Sequence, residues 1–128
     1  MAPRPQRKRV LLLSCYELGH QPLGLAFPLA FLERAGFEPR AIDLAVEPLD
    51  DEAVRAADFI GVSVPMHTAL RLALDLIPRI RALNPSAHLC FYGLYATLNV
   101  DLLLASGVNS VLSGEHEDAL AELASRAG

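Results

Sequence analysis

The side chains able to do chemistry in this sequence fall into four short stretches between apolar runs. They are Cys15-Tyr16-Glu17-Leu18-Gly19-His20, Val64-Pro65-Met66-His67-Thr68, Gly93-Leu94-Tyr95-Ala96-Thr97 and Ser113-Gly114-Glu115-His116-Glu117. None sets a nucleophile beside a base, and none offers a carboxylate dyad for acid–base work. Cys15 and Cys90 are the only cysteines, so there is no disulfide framework, no Cys-x-x-Cys pair and no cluster at metal-ligand spacing. What the stretches offer instead is a rim of Tyr16, His20, Met66, His67, Tyr95 and Thr97 among small residues. Such a rim suits a large, flat, mostly apolar ligand with polar edges better than a small anion. Intrinsic catalysis is not expected.

These stretches need a scaffold that brings them to one edge. Val10–Leu13 is a short continuous apolar run, as a strand buried on both faces produces. Helical signals begin at Pro22, a residue favoured at a first helical position, and run to Ala35 before Gly36. Leu23, Leu25, Ala26, Phe27, Leu29, Ala30, Phe31 and Leu32 leave this helix almost no polar face, so it needs a second partner besides the sheet. Phe27 and Phe31, or Leu25 and Leu32, are therefore expected to stay partly exposed in an isolated chain. Pro28 should bend the helix.

Strands follow at Pro39–Leu44, Phe59–Val64, Ala87–Tyr92 and Asn109–Leu112. Helices are predicted at Asp50–Ala57 with Asp50 as N-cap, His67–Leu83, Asn99–Ala105 and Glu115–Ser125. The third of the five helices carries an apolar stripe of Leu70, Ala73, Leu74, Ile77 and Ile80. Arg71, Asp75 and Arg79 form its charged face with i,i+4 pairs; Pro78 should kink it, and Asn84-Pro85 ends it. Strands alternating with helices imply an α/β domain with a parallel sheet and right-handed crossovers. With no second mononucleotide half, the flavodoxin-like (Rossmann-like) three-layer sandwich is the better fit, its five-stranded parallel sheet in order 2-1-3-4-5. Val10–Leu13 and Phe59–Val64 should then be adjacent central strands. Their loops would face each other across the crevice at the switch point.

At 128 residues, residues 1–8 read as a basic flexible arm and 9–128 as a single domain. Apolar residues make up 52% and charged residues 20%, which excludes a disordered chain. A net charge of −4 gives no reason to expect nucleic acid. The basic start leads into too short an apolar run for a signal peptide, and no run is long enough to span a bilayer. With so few cysteines, a reducing cytoplasm is the expected setting.

Several ligands of this architecture fail by absence. The first and third strands end Leu-Ser-Cys and Ser-Val-Pro, not in the acids of a phospho-receiver. Gly19 and Gly24 do not make a Gly-x-Gly-x-x-Gly dinucleotide turn. Tyr16–Gln21 lacks the Ser, Thr and Gly density of a flavin phosphate loop, and Glu115 and Glu117 would repel a phosphate.

The loop Tyr16–Ala26, the stretch Ile60–Thr68, the stretch Phe91–Asn99 and the ending Ser113–Glu117 together resemble a known family. It is the cobalamin-binding domain at the N-terminus of cobalamin-dependent radical S-adenosylmethionine proteins. The resemblance runs from about Arg9 to Ala124. It implies a corrin across the C-terminal edge of the sheet, with the nucleotide tail running down between sheet and helices. Ser63 matches the third-strand serine that faces the tail, and Gly93 the first glycine after the fourth strand, where lack of a side chain admits it. Leu94 replaces the second glycine of many relatives. The implied cofactor contacts are Cys15, Tyr16, Glu17, Leu18, Gly19, His20, Ser63, Val64, Pro65, Met66, His67, Gly93, Leu94, Tyr95, Ala96, Thr97, Gly114 and Glu115.

Two departures shape the expectation. The Asp-x-His-x-x-Gly motif whose histidine ligates cobalt is absent, so a base-off cobalamin with no protein histidine on the metal is implied. The Cys-x-x-x-Cys-x-x-Cys iron–sulfur motif is also absent, so the radical catalytic domain is expected to be a separate polypeptide or to have been cut away. The alternative is a docking domain of the same fold that binds no cofactor. An enzyme using a small nucleotide in the same crevice is a third reading. Each contact has a plainer role open to it: His20 and His67 as helix caps, Tyr16 and Tyr95 as loop aromatics, Cys15 as a small core residue, Ser63 as a partner of nearby backbone. His88 and His116 are expected at the surface.

Overall fold

The computed structural model describes residues 9–14, 23–45, 47–64, 67–93, 96, 98–112, 122 and 124, with backbone alone at 23–27, 29, 67 and 68. In chain order the elements are β1 (Arg9–Ser14), α1 (Leu23–Arg34), β2 (Glu38–Asp43), α2 (Asp51–Ala56), β3 (Phe59–Ser63), α3 (His67–Leu83), β4 (His88–Tyr92), α4 (Val100–Ala105) and β5 (Ser110–Leu112). Of the helix expected over Glu115–Ser125, Glu122 and Ala124 are described and are helical. Among the described residues, no helix is long and apolar enough to cross a membrane.

The strands form one sheet in the order β2-β1-β3-β4-β5, and every pairing is parallel. This is the flavodoxin-like arrangement, and it puts β1 and β3 side by side at the centre as their unbroken apolar runs predict. Both faces of these strands are covered, so both sets of alternating side chains are apolar. Leu11, Leu13, Ile42, Ile60, Val62, Leu89 and Phe91 point to one face, where they meet Val54 of α2, Ala73, Ile77 and Ile80 of α3, and Leu103 of α4. Val10, Leu12, Phe59, Cys90 and Tyr92 point to the other, against Leu32 of α1 and Ala124. Cys90 is a packed core residue, its thiol pushed up to about 12 by burial.

Helix α1 runs through Pro28 and α3 through Pro78. On α1, Leu32 is fully buried, which corrects the expectation for the Leu25–Leu32 pair. Phe31 is half-buried, and the side chains of Leu25 and Phe27 lie outside the described residues. Asp50 caps α2 as expected, accepting from the backbone N–H of Glu52 and Ala53. A hydrogen bond from Arg40 is the largest cause holding its carboxyl below the usual 3.8. On α3, Arg79 does not turn to Asp75 one turn away; it reaches across to Asp51 of α2.

Two polar hubs tie the C-terminal end of α3 to its surroundings, one to the segments entering β4 and β5 and one to the end of α2. Arg81 donates to the carbonyls of Ala87 at 2.7 Å and Gly107 at 2.8 Å and to Asn109 Oδ1 at 2.6 Å. Asn84, only 7% exposed, donates through Nδ2 to the carbonyls of Val54 at 2.8 Å and Ala57 at 2.7 Å. Its Oδ1 accepts from the backbone N–H of Ala87 at 3.0 Å.

His88 is half-buried at the start of β4, not at the surface as its charge capacity suggests. Its ring stacks on Phe59 with centroids 5.2 Å apart, and its Nε2 lies 2.8 Å from Ser110 Oγ. Burial first, and the Arg81 charge second, hold its pKa below the usual 6.5. The fold therefore prefers the neutral ring. Its contribution is complete above about pH 6.5 and is lost as pH falls, because the unfolded chain takes up the proton first. His88→Gln should flatten the stability profile as pH falls below about 6.5, measured by urea unfolding at stepped pH. An unchanged slope in that variant would assign the dependence to another group.

Candidate functional site

The chain leaves β1 towards β2 on one side and leaves β3 towards β4 on the other, so a crevice opens between the carboxyl ends of β1 and β3. Register aligns the last residues of the strands in one transverse row: Asp43, Ser14, Ser63, Tyr92 and Leu112. By strand alternation these side chains share the face of Val10, Leu12 and Phe59, towards α1. Two hydroxyls thus sit next to each other at the switch point, at the end of two otherwise apolar strands.

Both serines are buried, Ser14 completely and Ser63 to 3% exposure. The backbone carbonyl of Ser14 accepts from the N–H of Leu44 at 2.8 Å. Its side chain is different: among the described residues, Ser14 Oγ is the buried side-chain polar atom with no hydrogen-bond partner. A buried hydroxyl left in this state destabilises a fold by about 1–3 kcal/mol, so it asks for an explanation.

The next row on this face lies two residues deeper along the strands. Leu12, Gly61 and Cys90 are aligned there, and the Tyr92 ring leans over Gly61. A Cβ on Gly61 would stand 2.9 Å from Leu12 Cδ2 and 3.2 Å from Tyr92 Cε1. On this face the two serines lie above Leu12, and the Tyr92 ring beside Ser63 leans down towards Gly61.

Gly93 follows β4 with φ +109°, a conformation that side chains resist. A Cβ there would lie 2.8 Å from the Val64 carbonyl oxygen. The bareness that the resemblance ascribes to ligand entry is thus already required by the backbone of Val64. That backbone is itself tied in, its N–H donating to the Tyr92 carbonyl at 2.7 Å.

Of the residues singled out from the sequence, Ser63, Val64, Gly93 and the start of α3 at His67 are brought to this edge. Val64 and Ala96 are fully buried in the core on the α3 face. Cys15, Tyr16, Glu17, Leu18, Gly19, His20, Pro65, Met66, Leu94, Tyr95, Thr97, Gly114 and Glu115 lie outside the described residues. Ser14 and Tyr92 are additions. The signal for Ser14 was the abrupt end of the run Val10–Leu13 at a hydroxyl; nothing local distinguished Tyr92.

Neither α1 nor α3, the helices that start beside the crevice, has an acidic residue in its first turn, whereas α2 has Asp51 and Glu52. Within their own first turns, these two helices place no carboxylate against the positive end of the dipole. Among the described residues, no three His, Cys, Asp or Glu side chains are grouped to hold a metal ion. An open hollow of about 410 Å³ at the start of α4 is lined by Leu98, Asn99, Val100, Asp101 and Leu102. Another, of about 230 Å³, lies at the opposite edge, where Arg9 pairs with Glu38 and Arg40 with Asp50. With its cations already paired, that second hollow has little to offer a ligand.

The sequence model of the B12 binding domain family matches residues 9–124. Among curated proteins, none matches the chain. Solved structures share the fold at low identity. A pilus assembly-related protein from Burkholderia pseudomallei K96243 superimposes with a TM-score of 0.67 at 16% identity, over 94% of this chain and 92% of that one. A flavodoxin from the domain Archaea gives 0.57 at 10% identity, over 92% of each chain. Flavodoxin 1 from Bacillus cereus gives 0.53 at 9% identity, over 92% of this chain and 95% of the other.

Proposed function

We propose, because the chain belongs to the B12 binding domain family, that it holds cobalamin across the carboxyl edge of its sheet and presents the corrin to a radical S-adenosylmethionine catalytic domain. The observation that carries this reading is the pair of buried serines at the switch point, one with an unpartnered hydroxyl. These residues fit the group. Cobalamin is a broad apolar disc with amide edges and a polar nucleotide tail, and such a tail needs hydrogen-bonding partners once it leaves water. Ser63 and the backbone beside Val64 and Gly93 would line its entry. The rim of Tyr16, Leu18, His20, Met66, His67, Tyr95 and Thr97 would border the disc, with Tyr16, Leu18 or Met66 beneath it.

When bound, the cofactor supplies a cobalt able to carry a methyl group, and methyl transfer by the partner domain is the reaction this arrangement would serve. The chain's own part is to bind, orient and exclude water. His20 follows Gly19 instead of preceding the glycine as a ligating histidine does, so the proposed state is base-off with no protein nitrogen on cobalt.

The experiment mixes purified protein with Co(II) cobalamin and follows visible absorption and paramagnetic resonance after gel filtration. Co-elution with a base-off spectrum lacking axial nitrogen splitting is expected. Cobalamin that separates completely from the protein would favour a cofactor-free docking domain. Nitrogen splitting that vanishes in His20→Ala would make His20 the ligand.

A further inference from the structure

We infer that Ser14 is a recognition residue for the nucleotide tail of the cofactor, held in the ligand-free fold as an unpaired hydroxyl. The inference rests on the cobalamin-binding reading and adds to it a residue outside the loops and the third-strand serine. It follows from three observations. Ser14 Oγ is wholly buried and has no partner. It lies directly opposite Ser63 across the β1–β3 pairing. It stands two residues above Leu12 and the ring over Gly61, the next position outward on the same face.

A strand end buried on both faces has no use for a hydroxyl on packing grounds, since alanine would fit the same place without desolvating a polar atom. The backbone around it does not need the side chain either. The Ser14 carbonyl is already bonded to Leu44, and β1 is paired on both sides throughout its length. The open hydrogen-bonding capacity therefore faces whatever enters on the α1 side of the strand ends. A hydroxyl is both donor and acceptor, which suits the ribose, phosphate or ring nitrogen of a nucleotide. The corrin disc is too broad to slip between the face of the sheet and α1 to reach this hydroxyl. Only the tail can.

The same hydroxyl therefore acts in opposite directions in two states. In the ligand-free protein it is a defect, and removing it stabilises the fold. In the bound protein it is a contact, and removing it weakens the complex. The test measures both in the whole chain with Ser14→Ala. Melting of the ligand-free protein is followed by circular dichroism. Affinity is measured by absorption titration for cobalamin and for cobinamide, which carries the same corrin without the nucleotide.

Ser14→Ala should melt higher than the wild type by several degrees, on the order of 3–8 °C. It should bind cobalamin more weakly, by roughly 3- to 20-fold, and bind cobinamide as the wild type does. A variant that melts lower would show that Ser14 has a partner within the fold and overturn the inference. An equal loss for both corrinoids, or no loss for either, would overturn it as well. A wild type that binds neither corrinoid would remove the cobalamin reading itself, an outcome separate from these.

Discussion

Gly93→Ala is expected to be the most damaging single methyl that can be added to this protein. The residue sits at φ +109°, where an L side chain costs about 1–2 kcal/mol. The new Cβ would also stand 2.8 Å from the Val64 carbonyl oxygen and 3.0 Å from its carbonyl carbon. These are backbone atoms, and they cannot rotate away as the end of a side chain can. Val64 is fixed in turn by its hydrogen bond to Tyr92, so relief requires the ends of β3 and β4 to separate. Overpacking of this kind adds roughly 1–3 kcal/mol, for a total of about 2–5 kcal/mol. Against an ordinary domain stability of about 5–15 kcal/mol, that is a large fraction. Urea unfolding of the ligand-free variant is the measurement. If Gly93 were bare only to admit a ligand, the ligand-free variant would unfold as the wild type does, and only binding would suffer.

Asn84→Ala should come next, through a different mechanism. The side chain links the last carbonyls of α2 to the turn that follows α3, making bonds of 2.7 and 2.8 Å to Ala57 and Val54 and accepting one from Ala87. Truncation removes the side-chain donor to the Ala57 carbonyl and the acceptor for the Ala87 N–H, and it leaves the Val54 carbonyl only the 3.3 Å bond from the Ala57 N–H. Loss of such a cluster destabilises by about 2–4 kcal/mol. Thermal melting read by circular dichroism should show a clear drop. Asn84→Asp should also be unfavourable, because its carboxylate cannot donate to the two carbonyls. A variant with unchanged melting would mean that solvent replaces Asn84 at little cost.

Much of the frame was legible because it rests on local or periodic signals. The apolar runs Val10–Leu13 and Phe59–Val64 lack alternation, and the structure pairs them at the centre. The stripe from Leu70 to Ile80, ended by Asn84-Pro85, marks α3 at His67–Leu83. Asp50 announces α2 as an N-cap must. What escaped the sequence depends on residues far apart in it. Asn84 reads as a helix terminator until Val54 and Ala57, some thirty positions away, are brought beneath it. Gly93 reads as space for a ligand until Val64 fills that space. His88 reads as a surface residue until Phe59 lies against its ring. At the site, the hydroxyl of Ser63 was legible through its motif. That of Ser14 showed only as the hydroxyl ending an apolar run; its lack of a partner was not legible, because an unpartnered atom is defined by all its neighbours at once.

The in-register row across the carboxyl edge has a consequence for how this domain can change by descent. Ser14 and Ser63 face the crevice only because each strand delivers its last residue in phase with its neighbours. A single inserted or deleted residue inside β1 or β3 would rotate that strand by half a period, carrying its serine to the α3 face and its leucines or valines into the crevice. Substitutions can be tried one at a time at this edge, but changes of length within the central strands cannot. Variation in length must therefore collect in the connections after β1 and β4, where it reshapes the rim and leaves the two hydroxyls in place.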